Sequence, residues 1–123
     1  MPGPRGRHRW RRGRGVQRGQ IARVVEPCLL SLLQEAPRHG YELIAALERF
    51  GLEPDVLDSA MIYRTLRQME QAGWVVSTWE TAGTGPARRV YDITPTGREA
   101  LVRWREQLGY THEILHRLLG RQE

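Results

Sequence analysis

Arg64, Thr65, Arg67 and Gln68 fall on one side of the segment SAMIYRTLRQMEQ, with Ile62, Leu66 and Met69 on the other. Residues at i, i+4 and i+7 share a helix face, so the spacing predicts an α-helix with an apolar back and a polar front. The front carries groups that read base edges: a guanidinium pairs with guanine O6 and N7, and a carboxamide with adenine N6 and N7. Ser59, Ala60 and Met61 stand at the leading end of such a helix. Tyr63 lies at the edge of the apolar face, where its ring can pack while its hydroxyl reaches a phosphate. Arg88 and Arg89, just past the turn TAGTGPA, are placed to grip phosphates or enter a minor groove. The plainer readings are a solvated helix face for the first group and a cross-strand partner for Glu80 in the arginine pair.

The remaining reactive side chains point to no catalysis. His112 and His116 are four residues apart, a spacing that can hold a metal. No HExxH pattern or further ligand cluster accompanies them, and a solvated helix edge explains them. Cys28 follows an apolar helical pattern and reads as a small buried hydrophobe. Asp55 and Asp58 lack a nucleophile, a phosphate loop or a triad, and loop polarity and helix capping account for both. The expectation is a protein with no enzymatic activity, no cofactor and no metal.

The elements that must carry the candidate groups follow one another along the chain. Residues 1–20, MPGPRGRHRWRRGRGVQRGQ, are rich in Gly and Arg and nearly free of aliphatic residues, so a disordered basic arm is expected there. Val25, Cys28, Leu29, Leu32 and Leu33 recur at helical spacing and predict a first helix from about Ile21 until Pro37. A second helix is expected over 39–50, with Leu43, Ile44, Leu47 and Phe50 inward and Gly51 as its C-cap. Asp58 or Ser59 would cap the third helix, over 58–73, which Gly73 closes. Residues 74–80 and 88–93 predict a hairpin, with Val75, Trp79, Tyr91 and Ile93 supplying strand character. Its seven turn residues suit a mobile wing. Thr94-Pro95 opens a last helix that runs to about Leu119, with Gly109 as a weak point midway.

Helix, turn, helix and then hairpin is the winged helix-turn-helix plan, mainly α with a β-hairpin and so α+β in class. In that plan the second helix of the pair enters a major groove and the hairpin touches the flanking backbone. The chain divides into an Arg/Gly-rich arm (1–20), a winged helix-turn-helix domain (21–94) and a C-terminal dimerisation helix (95–123).

Charge is distributed unevenly. All nineteen basic residues are Arg, and eight of them fall in residues 1–23, which hold no acid. The other eleven face fourteen acids, so a mildly acidic body follows a strongly basic arm. A single cysteine excludes an internal disulfide and fits a reducing cytosol. No apolar run approaches the roughly 20 residues needed to span a bilayer, and no small-residue cleavage site follows the Arg-rich start. A cytoplasmic, nucleoid-associated protein with no membrane partner is expected.

PRHGYEL (Pro37–Leu43), IYRTLRQMEQAGWV (Ile62–Val75) and WETAGTGPARRVYDITPTGREAL (Trp79–Leu101) together resemble the PadR-like transcriptional regulators. They match, in order, the family's second-helix signature, its recognition helix, and its wing with the start of the last helix. Tyr63, Leu66, Met69, Glu70 and Gly73 carry the second match, and Gly85, Pro86, Arg88, Tyr91, Thr94 and Gly97 the third. The resemblance implies a homodimeric, usually repressing regulator that binds double-stranded DNA and has a single terminal helix. It also implies, for some members, a response to phenolic acids or lipophilic drugs, with an aromatic residue of the last helix at a cleft between subunits. Trp104 is the residue placed to serve as such an effector platform here. Where many members open the recognition helix with Pro-Gly-Thr, this chain has Ser59-Ala60-Met61, so an operator sequence does not carry over.

Leu101, Trp104, Leu108, Leu115 and Leu118 form an apolar stripe with no obvious intrachain partner. It is expected to pack on the first helix and on the same helix of a second subunit, with Val25, Leu29 and Leu33 as neighbours. Two other functions compete with DNA readout. An RNA-binding or ribosome-associated small basic protein fits the Arg/Gly arm, but no exposed aromatic platform for bases is visible. A protein adaptor that keeps the fold as a scaffold leaves Arg64, Arg67 and Gln68 without a purpose.

Overall fold

Three apolar stripes at helical spacing and one alternating hairpin determine most of what folds here. The computed structural model describes residues 14–52, 57–81, 83 and 85–120, with side chains from Arg23 onward. In chain order the elements are α1 (Arg14–Glu35), β1 (Arg38–His39), α2 (Gly40–Ala46) continued by a 3₁₀ turn (Leu47–Phe50), α3 (Ser59–Gln71), β2 (Val75–Glu80), β3 (Arg88–Ile93) and α4 (Pro95–Leu118).

α1 starts at Arg14 rather than near Ile21, so the boundary expected at residue 20 falls inside a helix. Extending an existing helix adds one hydrogen bond per residue fixed, and Arg and Gln are good helix formers, which offsets Gly15 and Gly19. The rest of the expected arm, 1–13, lies outside the described residues. Pro27 sits within α1 and offers no N–H to the carbonyl of Arg23 one turn earlier.

The ends of α3 and α4 are set by local chemistry that the sequence displays. Asp58 accepts a hydrogen bond from the Ala60 N–H at 3.0 Å, and Thr94 accepts one from the Gly97 N–H at 2.9 Å. Gly73, at φ 83°, adopts the left-handed conformation that lets the chain leave α3 for β2. Gly109 does not interrupt α4.

The sheet has three strands in the order β1-β3-β2, all antiparallel. β2 and β3 pair in full register, from Val75 opposite Ile93 to Glu80 opposite Arg88. β1 is unexpected. Arg38 lies opposite Tyr91 and His39 opposite Val90, so His39 is an extended residue that caps α2 instead of its first helical residue.

The core collects Val25, Leu29, Leu30, Leu32 and Leu33 of α1, Leu43 and Leu47, and Ile62, Leu66 and Met69 of α3, with Val75, Tyr91 and Ile93 of the sheet. Ala100 and Leu101 of α4 complete it. At roughly 1.5–3 kcal/mol per large aliphatic side chain, this face fixes the angle at which α3 presents its front. Phe50 is exposed, contrary to the inward orientation expected of it, and Trp79 is exposed as well. Phe50 is the last residue of the 3₁₀ turn, one turn beyond the buried Leu47, where Gly51 ends the helix. β2 runs beyond the core, so the face that buries Val75 carries Trp79 into solvent.

The core also continues past residue 94. Gly97 lies so close to the Trp74 carbonyl that a Cβ there would collide with backbone. The first two turns of α4 therefore belong to the winged domain. Val25, Leu29, Leu33 and Leu101, expected between subunits, are at most 1% exposed within this chain. They shape the interior of this chain.

Candidate nucleic-acid interface

With Ile62, Leu66 and Met69 fully buried, the opposite side of α3 has only one direction to face. Arg64, Arg67 and Gln68 are all exposed. Neither arginine has an ion pair among the described residues, whereas Arg38 and Arg49 both close on Glu35, at 2.8 Å each. Arg guanidiniums with no carboxylate partner among the described residues are suited to guanine edges or phosphates.

The other helix residues divide. Ser59 and Ala60 are exposed at the leading end, as expected of groups near a groove. Met61 is half-buried against the core. The Thr65 hydroxyl donates to the Met61 carbonyl at 2.8 Å, one turn back along its own helix, so its hydrogen is already committed. Tyr63 packs as expected of its ring. Its ring lies against Gly40, where a Cβ would collide with it, and the residue remains partly open to solvent. A glycine at the first position of α2 thus lets the aromatic edge of α3 lie flat against its neighbour.

The wing is built as tightly as the helix. Trp74 N–H donates to the Met69 carbonyl at 2.9 Å, its own carbonyl accepts from Thr94 N–H at 3.0 Å, and the Thr94 hydroxyl donates to Gly73 O at 2.6 Å. The end of α3, the start of β2 and the cap of α4 are therefore one unit. Arg89 donates through Nε to Ser77 Oγ at 2.9 Å, and Ser77 donates in turn to Glu70 of α3 at 2.7 Å. The Arg89 guanidinium also lies over the Trp79 ring, 5.0 Å from its centre. Arg88 donates to Tyr41 Oη at 2.6 Å and sits over that ring at 5.3 Å.

Arg88 is directly opposite Glu80, yet the carboxylate does not take it. Glu80 accepts instead from His39 Nε2 at 2.8 Å, and His39 Nδ1 meets Glu42 at 2.9 Å. Hydrogen bonds to these two carboxylates raise the His39 pKa above its ordinary value, and the His39 backbone N–H and ring in turn lower that of Glu42. Arg88 and Arg89 thus both lie on the wing with no carboxylate partner among the described residues. His39, Tyr41 and Trp79 are members of this surface that the sequence did not mark, because each joins it through contacts across the sheet or between distant segments.

The other candidates sit elsewhere. Trp104 and Leu108 are half-buried, and Leu115 and Leu118 are exposed toward the end of α4. Trp104 packs on the core and lines neither of the two grooves beside α4. One, of about 600 Å³, is lined by Val24, Leu108, Thr111, His112, Leu115, His116 and Leu119. The other, of about 380 Å³, is bounded by Cys28, Phe50, Leu101 and Arg105 among others. Burial pushes the Cys28 thiol up to about 11. No group of three or more metal-binding side chains occurs among the described residues, and none of their helices is long and apolar enough to cross a membrane.

An outward-facing basic helix fastened to an arginine-bearing hairpin makes this a winged helix-turn-helix protein. The sequence model of the transcriptional regulator PadR-like family matches residues 29–103. The chain belongs to that family of DNA-binding, non-enzymatic transcriptional regulators. It is 38% identical over 76 residues to the "probable transcriptional regulator Rv1176c" of Mycobacterium tuberculosis, a match that takes in 62% of this chain and 40% of that protein. It is 35% identical over 91 residues to transcriptional regulator Rv3488 of the same organism, covering 74% of this chain and 68% of the relative. The chain thus spans less than half the length of the first relative. Among solved structures, the PadR-like transcriptional regulator BC4206 of Bacillus cereus superposes with a TM-score of 0.69 at 27% identity, over 80% of this chain and 94% of that one.

Proposed function

We propose that the protein is a homodimeric repressor that binds a pseudo-palindromic operator. α3 enters the major groove of each half-site, and Arg88 and Arg89 grip the flanking backbone. The single observation that carries this reading is the exposed front of α3, where Arg64 and Arg67 stand without a carboxylate partner among the described residues while the back of the same helix is sealed. Arg64 and Gln68 read bases, Tyr63 and Arg67 contact phosphate, and Ser59, Ala60, Met61 and Thr65 border the groove. Two copies of α3 on one face of a duplex place half-sites about one helical turn apart.

The second copy docks on the exposed second half of α4, with Leu108, Leu115 and Leu118 as anchors and Trp104 at the base. A lipophilic or aromatic effector would use the groove walled by Phe50, Leu101 and Leu108. Such a protein works in the cytoplasm, at the nucleoid.

The test is a salt-controlled competition between a duplex selected from a random pool and bulk RNA. The selected duplex should win at every salt concentration, and its sequence should show two inverted half-sites. RNA that competes as well as the duplex would instead support a ribosome-associated role.

A further inference from the structure

His39 joins the two parts of the wing surface, and its hydrogen bonds impose a protonation state. Nδ1 faces a Glu42 oxygen at 2.9 Å, and Nε2 faces a Glu80 oxygen at 2.8 Å. An ionised carboxylate only accepts, so both ring nitrogens must donate, and an imidazole donates from both only as the imidazolium. The ring is largely covered, stacked on Tyr41 with centroids 5.3 Å apart. Glu42 also accepts from the His39 backbone N–H at 2.7 Å, which leaves it tied to the start of α2 whatever the ring does. Glu80 has no second partner among the described residues.

The charged groups around the ring come from every neighbouring element. Glu42 and Tyr41 come from α2, Glu80 from β2, Arg88 from β3 through its contact with Tyr41, and Arg38 from β1, where it turns away to Glu35. Residues directly opposite in an antiparallel pair have Cβ atoms about 4.5–5.5 Å apart. Glu80 released by His39 therefore meets Arg88 across the ladder.

We propose that His39 is a positioning residue for DNA binding: as the imidazolium it holds Glu80 aside and so keeps Arg88 of the wing free for phosphate. When the ring gives its proton to solvent, one of its two donors is gone. Glu80 then turns to Arg88, and the wing loses one cation from its phosphate-facing surface. This inference rests on the DNA-binding reading above. The raised His39 pKa sets the direction. The clamp is complete below it and is lost as pH rises through it, so DNA affinity falls over that interval.

The experiment is a titration of duplex affinity between about pH 6 and about pH 9, using a duplex selected by the wild-type protein and intact chains of wild type, His39→Gln and Glu80→Gln. Wild type should weaken about two- to fivefold as pH rises, the scale of one exposed ion pair. His39→Gln should show none of that decline and bind at the weak, high-pH level. Glu80→Gln should also lose the decline but bind at the strong, low-pH level, because no carboxylate remains to claim Arg88. A merely structural histidine would make both variants weak. A His39→Gln slope equal to that of wild type, or a Glu80→Gln protein as weak as His39→Gln, overturns the inference. Should His39→Gln fail to fold, Glu80→Gln alone decides, by the level at which its affinity settles. Wild type that binds no duplex at either end of the range overturns the DNA-binding reading together with it, whereas duplex binding with a slope shared by all three proteins overturns this inference alone.

Discussion

α3 and the second half of α4 are both amphipathic, but they stand in opposite relations to solvent. α3 buries Ile62, Leu66 and Met69 completely and turns Arg64, Arg67 and Gln68 outward. α4 beyond Gly109 turns its hydrophobic residues outward, with Tyr110 73%, Leu118 74% and Leu119 66% exposed. In the first case the protein has finished its packing, and what remains on the surface is available for a ligand. In the second the packing is incomplete, because contiguous apolar side chains on a helix that extends past the core need something to cover them. Polar groups left free on a sealed helix indicate recognition; apolar groups left free indicate assembly.

The largest test of this contrast removes the unfinished surface. A chain ending at Leu108 keeps Ala100 and Leu101, and so the core, but loses Leu115, Leu118 and their neighbours. Sedimentation should show a dimer for the full chain and a monomer for the shortened one, a loss of about 5 kcal/mol or more of association energy from several buried aliphatic side chains. Leu118→Glu in the full chain should act in the same direction. A tight dimer in either case puts the interface elsewhere.

A smaller effect separates the two helices by stability. Leu66→Ala should cost about 2–5 kcal/mol in denaturant unfolding, as expected for a cavity in a sealed core. Leu118→Ala should leave monomer unfolding unchanged and weaken only association. Equal losses from both would mean that α4 packs on its own chain after all. Thr94→Ala, which removes the cap joining α4 to the end of α3, should cost about 1 kcal/mol. The smallest effect concerns Cys28, beside the groove between α1 and α4. With its thiol raised to about 11, native protein near pH 8 should react with iodoacetamide about a hundredfold more slowly than unfolded chain. Equal rates would show that the groove is open down to that residue.

What could be read from residues alone follows the same division between local and distant causes. The caps at Asp58 and Thr94, the stop at Gly73 and the strands on either side of TAGTGPA are all local, and the structure places them where the sequence signals stand. β1 is not local. Two residues have no periodicity, and Arg38 and His39 become a strand only because Tyr91 and Val90 arrive beside them. The same holds for Glu80, whose partner lies 41 residues away rather than across the hairpin. The stripe of Val25, Leu29 and Leu33 shows that a face is buried without showing by what. The expected packing of α4 on the first helix accounts for it, since Ala100 and Leu101 share one core with these residues. Trp79 and Phe50 show the converse limit, since hydrophobic character marks a preference and not a location.

The account depends most on the front of α3 reading bases, and Arg64→Ala tests that directly. Affinities of wild type and variant would be measured for the selected duplex and for each of its single-base-pair changes. The predicted result is a loss of about 1–3 kcal/mol on the selected duplex, with discrimination relaxed at one base pair in each half-site and kept at the others. An equal loss on the selected duplex and on random DNA would make Arg64 a phosphate contact and contradict the claim that this helix face reads sequence.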